Sequence, residues 1–160
     1  MKVKIKKVHP DAIIPSYAKA GDAGMDLTAV SMSIDEHGNI HYGTGLAFEI
    51  PEGYVGFVFP RSSNCKKGVV LTNSVGVIDS GYRGEVSFKF KPNSDVVAIV
   101  DQGAESATYT RGAQTNRETY KIGDRVGQMI IMPYPAIEFE EVEELSKTER
   151  GEGGHGSSGR

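Results

Sequence analysis

The chain has no tryptophan, a single cysteine and no surplus of positive charge. The lone thiol, Cys65, excludes an internal disulfide framework and a cysteine-rich zinc site. Eighteen Lys and Arg against twenty-one Asp and Glu leave a net charge of -3. A general nucleic-acid binder carries a basic face, so that class is set aside, although a few convergent cations can still hold one anionic small molecule. No apolar run approaches the ~20 residues of a membrane-spanning helix. The opening MKVKIKKVHP is positive with no apolar stretch behind it, unlike a secretory signal. The expectation is a soluble cytoplasmic protein without membrane attachment. Long 3.6-residue periodicity is missing too: its nearest approach, residues 137–149 (IEFEEVEELSKTE), fits strand alternation as well as a helix.

What is present is turn chemistry and short apolar runs. Twenty glycines and seven prolines in 160 residues lean toward a turn-rich β protein of about one domain. Val3, Ile5 and Val8 sit near an alternating pattern, and Phe57, Val58 and Phe59 run up to Pro60. Further runs cover 69–71, 75–78, 86–90, 96–100 and 126–132, each bounded by Gly, Pro, Asn or Asp. Such spacing predicts an all-β sandwich or barrel. A short helical turn fits near Lys66–Lys67. Residues 101–120 are polar and read as a long hairpin or surface excursion. The tail 150–160, RGEGGHGSSGR, has five glycines in eleven residues and cannot build a core, so it reads as a flexible arm.

Five stretches carry the chemistry, and each has a plain structural reading beside a functional one. AGDAGMDL (20–27) is a loop into a strand or the edge of a site. In PRSSN (60–64), a planar, permanently charged arginine and two hydroxyls can clamp a phosphate, or simply form an exposed turn. GVIDSGYRGE (76–85) places Asp79 at the end of an apolar run. Asp-Ser-Gly is good turn chemistry, but a carboxylate there can also serve as a general base. Tyr82, three residues on, offers a face to a sugar or base. GDRVGQ (123–128) is a turn with Asp124 and Arg125, followed by Gln128 on a strand. The tail adds Arg150, His155 and the Ser157–Ser158 pair among glycines that let backbone approach phosphates, without the Lys-Ser/Thr ending of a P-loop.

In this order along a β-rich chain, the five stretches resemble the motifs of the trimeric deoxyuridine triphosphate nucleotidohydrolases, over nearly the whole length from about Lys4 to Gly159. The resemblance implies a homotrimer of β jelly-roll subunits, 1–149, with the arm 150–160 closing over active sites shared between chains. It implies hydrolysis of dUTP to dUMP and pyrophosphate, which limits uracil in DNA and supplies dUMP for dTMP synthesis. Carried over residue by residue, Asp79 would activate the water that attacks the α-phosphorus. Tyr82 would pack on the deoxyribose and exclude a 2′-hydroxyl. Uracil would be read by main-chain groups of a β-hairpin spanning about Asn73 to Ser87, with Gly76, Val77 and Ile78 in it. Arg61, Ser62, Ser63 and Gln128 would bind phosphates. From the arm, Arg150, Gly156, Ser157 and Ser158 would close over the triphosphate, and His155 falls where many relatives stack a phenylalanine on uracil. Mg²⁺ would be held mainly by substrate phosphates and waters, with Asp26 in its outer shell.

General chemistry agrees with that picture. Cations and fixed donors stabilise charge on a transferring phosphoryl group, and Mg²⁺ binds through phosphates and keeps several waters rather than needing a carboxylate cage. Gly81 stands where relatives often carry aspartate, and the stretch from Glu85 to Gly123 is longer than in compact members. That insertion reads as a solvated hairpin, with a protein partner at 101–120 as the alternative. His9, His37 and His41 show no metal-ligand spacing, and Cys65 reads as a small buried hydrophobe. Two rival functions remain: a dCTP deaminase, which would need a threonine-leucine-glutamate pattern where this chain offers only Glu85, and a nucleotide-gated regulatory protein on the same scaffold.

Overall fold

A computed structural model describes residues 1–93, 96–99, 108–111 and 118–154. His155, Gly156, Ser157 and Ser158, and most of 101–120, lie outside these. The described residues are all-β, in a jelly-roll-like arrangement of antiparallel sheets with no α-helix. The strands are β1 (Lys4–Lys7), β2 (Met25–Thr28), β3 (Ser31–Ile34), β4 (Ile40–Glu49), β5 (Tyr54–Phe59), β6 (Val69–Leu71), β7 (Gly76–Ile78), β8 (Glu85–Pro92), β9 (Val96–Ile99), β10 (Thr108–Arg111) and β11 (Arg125–Pro133).

One sheet runs β1-β4-β8-β6, with β3 also paired to β4; the second runs β2-β11-β5-β7; β9 and β10 form a separate antiparallel pair. Alternation along β8 explains why the first two sheets face each other. Val86, Phe88 and Phe90 are buried, whereas Ser87 and Lys89 point away from the core. They meet Leu27, Val126 and Met129 of the opposite sheet, all fully buried. Burying each such side chain contributes about 1.5–3 kcal/mol, so this interior is the main source of stability. The two sheets approach closely at Gly127, where a Cβ would overlap the Phe88 ring.

The apolar runs read from the sequence all become strands, but β4, the longest, was not among them. Gly43 and Gly45 interrupt its pattern, and the structure uses that interruption. The register between β4 and β8 shifts between Gly43 and Ala47, and Gly45 sits there at φ 68. A Cβ on Gly45 would come within 3.0 Å of His9, Ala12 and Val30, so the bulge has glycine for both conformation and space. The expected hairpin from Asn73 to Ser87 needs correction. β7 pairs with β5 while β8 pairs with β4 and β6, so this segment crosses between sheets instead of folding back on itself. The short helical turn near Lys66–Lys67 is present as a 3-10 turn at Ser62–Lys66. Residues 137–149 form neither helix nor strand, and Ile137, Phe139 and Leu145 are exposed. Among the described residues of one chain nothing covers these side chains. Cys65, read as buried, is exposed on the 3-10 turn, which has no buried residue at all.

Candidate active site

Three neighbouring strands bring distant polar residues to one end of the second sheet. Gln128 of β11 stands opposite Asp26 of β2 on one side and Phe59 of β5 on the other. Two residues past Phe59 comes Arg61, whose Nε donates to Asp26 Oδ1 at 2.7 Å. Arg125 Nη1 donates to the other oxygen, Oδ2, at 3.0 Å. Arg61 Nη1 also reaches Ser63 Oγ at 3.3 Å, and Gln128 Nε2 donates to the Pro60 carbonyl at 3.2 Å. Gly24 lies beside this amide, since a Cβ there would fall 2.6 Å from Gln128 Oε1. Asp26 thus aligns two guanidinium groups, and only the first of them was given a binding role from sequence.

Arg125 was missed for a geometric reason. Residues three apart on a regular strand project from opposite faces. Between Arg125 and Gly127, however, the register against β2 slips: Arg125 pairs with Thr28, Gly127 with Leu27 and Gln128 with Asp26. The extra residue in β11 restores the phase, and Arg125 and Gln128 flank Asp26 together. A glycine-aspartate-arginine turn followed by glutamine was the available signal, but nothing in it announces a bulge.

Asp79 and Tyr82 form a second group. Asp79 follows β7 and is exposed, and its carboxylate receives no hydrogen bond from the described residues. Its carbonyl accepts the Tyr82 amide at 3.0 Å, closing the turn. The Tyr82 hydroxyl donates to the Glu85 carbonyl at 3.1 Å, and the ring folds across Gly84, where any Cβ would collide with it. Arg83 Nη1 bonds the Ser80 and Tyr82 carbonyls at 2.6 and 2.9 Å, which stiffens the same turn. Gly81 faces open space, so an aspartate would fit there. β7 is the outer strand of its sheet, which leaves main-chain groups on its free side. Gly76 is buried against Val58 while Val77 is exposed, and Asn73 lies in the turn just before, followed by Ser74 at φ 60. Ser87 is half-buried on β8, its hydroxyl 2.7 Å from His41 Nε2. His41 is therefore a partner of a nominated residue.

The two groups do not meet within one chain. In the β5–β7 ladder Ile78 lies opposite Gly56, and Arg61 is five residues further along, about 16 Å away at ~3.3 Å per residue. Arg150 is exposed in the arm, where its Nε bonds the Gly153 carbonyl at 3.0 Å, in a turn also closed by Gly151 and Thr148. Among the described residues no cluster of three or more His, Cys, Asp or Glu can hold a metal ion.

The dUTPase family model matches residues 10–107 and 113–159. The chain is 39% identical to a deoxyuridine 5'-triphosphate nucleotidohydrolase of Nautilia profundicola, over the full length of both. It is 38% identical to the enzyme of that name from Wolinella succinogenes, covering 100% of this chain and 95% of the other. Among solved structures, the dUTPase of Staphylococcus bacteriophage 80alpha with dUPNHPP superposes with a TM-score of 0.77 at 27% identity, covering 99% of each chain.

Proposed function

The chain belongs to the dUTPase family, and we propose that it hydrolyses dUTP to dUMP and pyrophosphate in a homotrimer whose sites are each shared between chains. The observation that carries the shared site is the separation above. The proposed phosphate-binding set around Asp26 and the Asp79–Tyr82 turn lie at opposite ends of β5, which supports a trimer in which one copy's turn faces another copy's arginines. The exposed Ile137, Phe139 and Leu145 support the same assembly, since apolar side chains in a row mark a surface that is covered.

In this reading Asp79 binds the attacking water and takes its proton as the α-phosphorus is attacked, a role that suits a carboxylate with no donor among the described residues. Tyr82 forms the floor under the deoxyribose, held by its bond to Glu85. The free edge of β7, from Gly76 to Ile78, offers main-chain donors and acceptors to uracil, with Asn73 and Ser87 at the borders of that segment. Cytosine exchanges a carbonyl for an amino group, and the mismatch would leave edge groups unpaired. Arg61, Arg125, Ser62, Ser63 and Gln128 bind the phosphates, the two guanidiniums pre-aligned by Asp26. The arm 150–160 of a neighbouring copy, with Arg150, His155, Gly156, Ser157 and Ser158, closes over the triphosphate and excludes water.

The donor set suits a Mg²⁺ carried in by the substrate. Two arginines occupy two of the about four lone-pair directions of the Asp26 carboxylate, and the others remain for a metal-bound water. When bound, the ion neutralises phosphate charge. No helix among the described residues is long and apolar enough to cross a membrane, which is consistent with action on a soluble nucleotide. The test is pyrophosphate release from dUTP, dCTP, dTTP and UTP in parallel with Mg²⁺. Release from dUTP alone is expected. Ammonia from dCTP, or no turnover with any nucleotide, would overturn the reading.

A further inference from the structure

The loop bearing Arg61, Ser62 and Ser63 is anchored through Asn64, the last residue of its own stretch, to groups outside the five stretches. Its 3-10 turn, Ser62–Lys66, has no buried residue and no side-chain cap. At its two ends Asn64 bonds back to Arg61 and Lys67 to Asn64, each at 2.9 Å. A single 3-10 turn is weakly stable alone, so external contacts must set its conformation. Arg61 has its own tie to Asp26 and a 3.3 Å bond to Ser63 Oγ, but these orient a guanidinium and do not hold the turn against the core.

The external contacts come from the chain just before β11. Asn64 Oδ1 accepts the Tyr120 hydroxyl at 3.0 Å while Asn64 Nδ2 donates to the Val69 carbonyl at 3.1 Å. Tyr120 is itself packed into the core. It is 3% exposed, its ring lies 5.3 Å from Phe90 and 6.0 Å from Tyr42, and its carbonyl accepts the Tyr42 hydroxyl at 2.8 Å. Burial pushes its hydroxyl pKa up, so it stays a neutral donor. Lys67 reinforces the link: its Nζ donates to the Thr119 carbonyl at 3.2 Å and sits 5.2 Å from the Tyr120 ring centre. Gly68 is held on both sides, donating to the Glu118 carbonyl at 3.3 Å and accepting the Asn93 amide at 2.8 Å.

We propose that Asn64 and Tyr120 are positioning residues for the triphosphate: their hydrogen bond fixes the Arg61–Ser63 loop against the core in the geometry that receives the phosphates. This rests on the assignment of that loop to the phosphates of dUTP. The bond crosses from a rigid aromatic cluster to a loop with no core of its own, which is the supporting shell a pre-organised site requires.

Tyr120→Phe keeps the ring and removes the hydroxyl, and is compared with Asn64→Ala and the double variant. Turnover of dUTP is followed by pyrophosphate release, and binding of dUPNHPP and of dUMP by calorimetry. Tyr120→Phe is expected to raise KM for dUTP and Kd for dUPNHPP about three- to tenfold, the loss of one hydrogen bond. Kd for dUMP and kcat should stay within about twofold. In the Asn64→Ala background Tyr120→Phe should add nothing, because the bond it removes is already gone. Unchanged dUPNHPP affinity in an active Tyr120→Phe enzyme would overturn the proposal, as would equal losses for dUPNHPP and dUMP. If Asn64→Ala does not fold, the Tyr120→Phe comparison decides alone. A wild-type protein that neither binds dUPNHPP nor hydrolyses dUTP would overturn the underlying function as well, a result distinct from unchanged affinity in an active variant.

Discussion

Arg61 and Asp79 stand at opposite ends of the β5–β7 ladder. The ladder places Val58 against Gly76 and Gly56 against Ile78, so the arginine follows one end of β5 while the aspartate leaves β7 beside the other. In the proposed site this separation makes the phosphate contact and the base come from different chains. Arg61→Ala and Asp79→Asn chains, each nearly inactive alone, should therefore regain a fraction of wild-type pyrophosphate release when co-refolded. No recovery from verified mixed trimers would place both residues of a site in one chain.

Asp79→Asn keeps the shape of the turn, whose contact to Tyr82 is made by the Asp79 main chain. Removing a general base costs roughly 10²–10⁴ in rate. We expect kcat to fall by that factor while calorimetry shows dUPNHPP affinity within a few-fold of wild type. Near-full kcat would exclude Asp79 as the base.

Arg125 is mostly solvated, with 57% of its side chain exposed, yet it shares Asp26 with Arg61. Exposed ion pairs contribute about 0–1 kcal/mol to stability. Arg125→Ala should leave the melting temperature nearly unchanged and raise KM for dUTP several-fold, with little effect on dUMP affinity. Asp26→Asn should do more on both counts, because it releases two guanidiniums and the Arg61 partner is three-quarters buried.

Deleting residues 150–160 should cost kcat/KM far more than folding. Arg150 to Gly153 bond only among themselves and Thr148 within the described residues. Thermal unfolding of the truncated protein should coincide with that of the full chain. A large fall in melting temperature would show that the arm is part of the fold.

Asp35 controls the β3–β4 turn. It accepts the amides of His37 and Asn39 and the Asn39 side chain, and lies 3.2 Å from Lys89 Nζ. The Asn39 bonds, above all, hold its carboxyl well below the usual carboxylate range. A depressed carboxylate stabilises the fold above its unfolded pKa, near 4, and loses that contribution as pH falls below it. The stability gap between wild type and Asp35→Ala should be full at neutral pH and shrink on acidification, as read by urea unfolding along a pH series. A gap that widens in acid would contradict the assignment.

Much of the site was legible because its residues cluster in short stretches. PRSSN, GVIDSGYRGE and GDRVGQ each carry their chemistry within ten residues, and apolar runs such as 86–90 betray buried strands by local pattern alone. The family and the all-β class follow from those local signals, as does the nomination of Asp79, Arg61 and Gln128. Register and strand partnership are not local. Asp26 and Arg125 are ninety-nine positions apart and meet because a bulge in β11 rephases the strand. Asn64 and Tyr120 are fifty-six apart and meet because Tyr120 is seated among Tyr42 and Phe90. The same tertiary pairing separates Arg61 from Asp79. The sequence determined which groups are available, since side-chain chemistry is carried residue by residue. Only the tertiary structure decided which groups meet, because strand pairing joins segments whose order along the chain does not encode their distance.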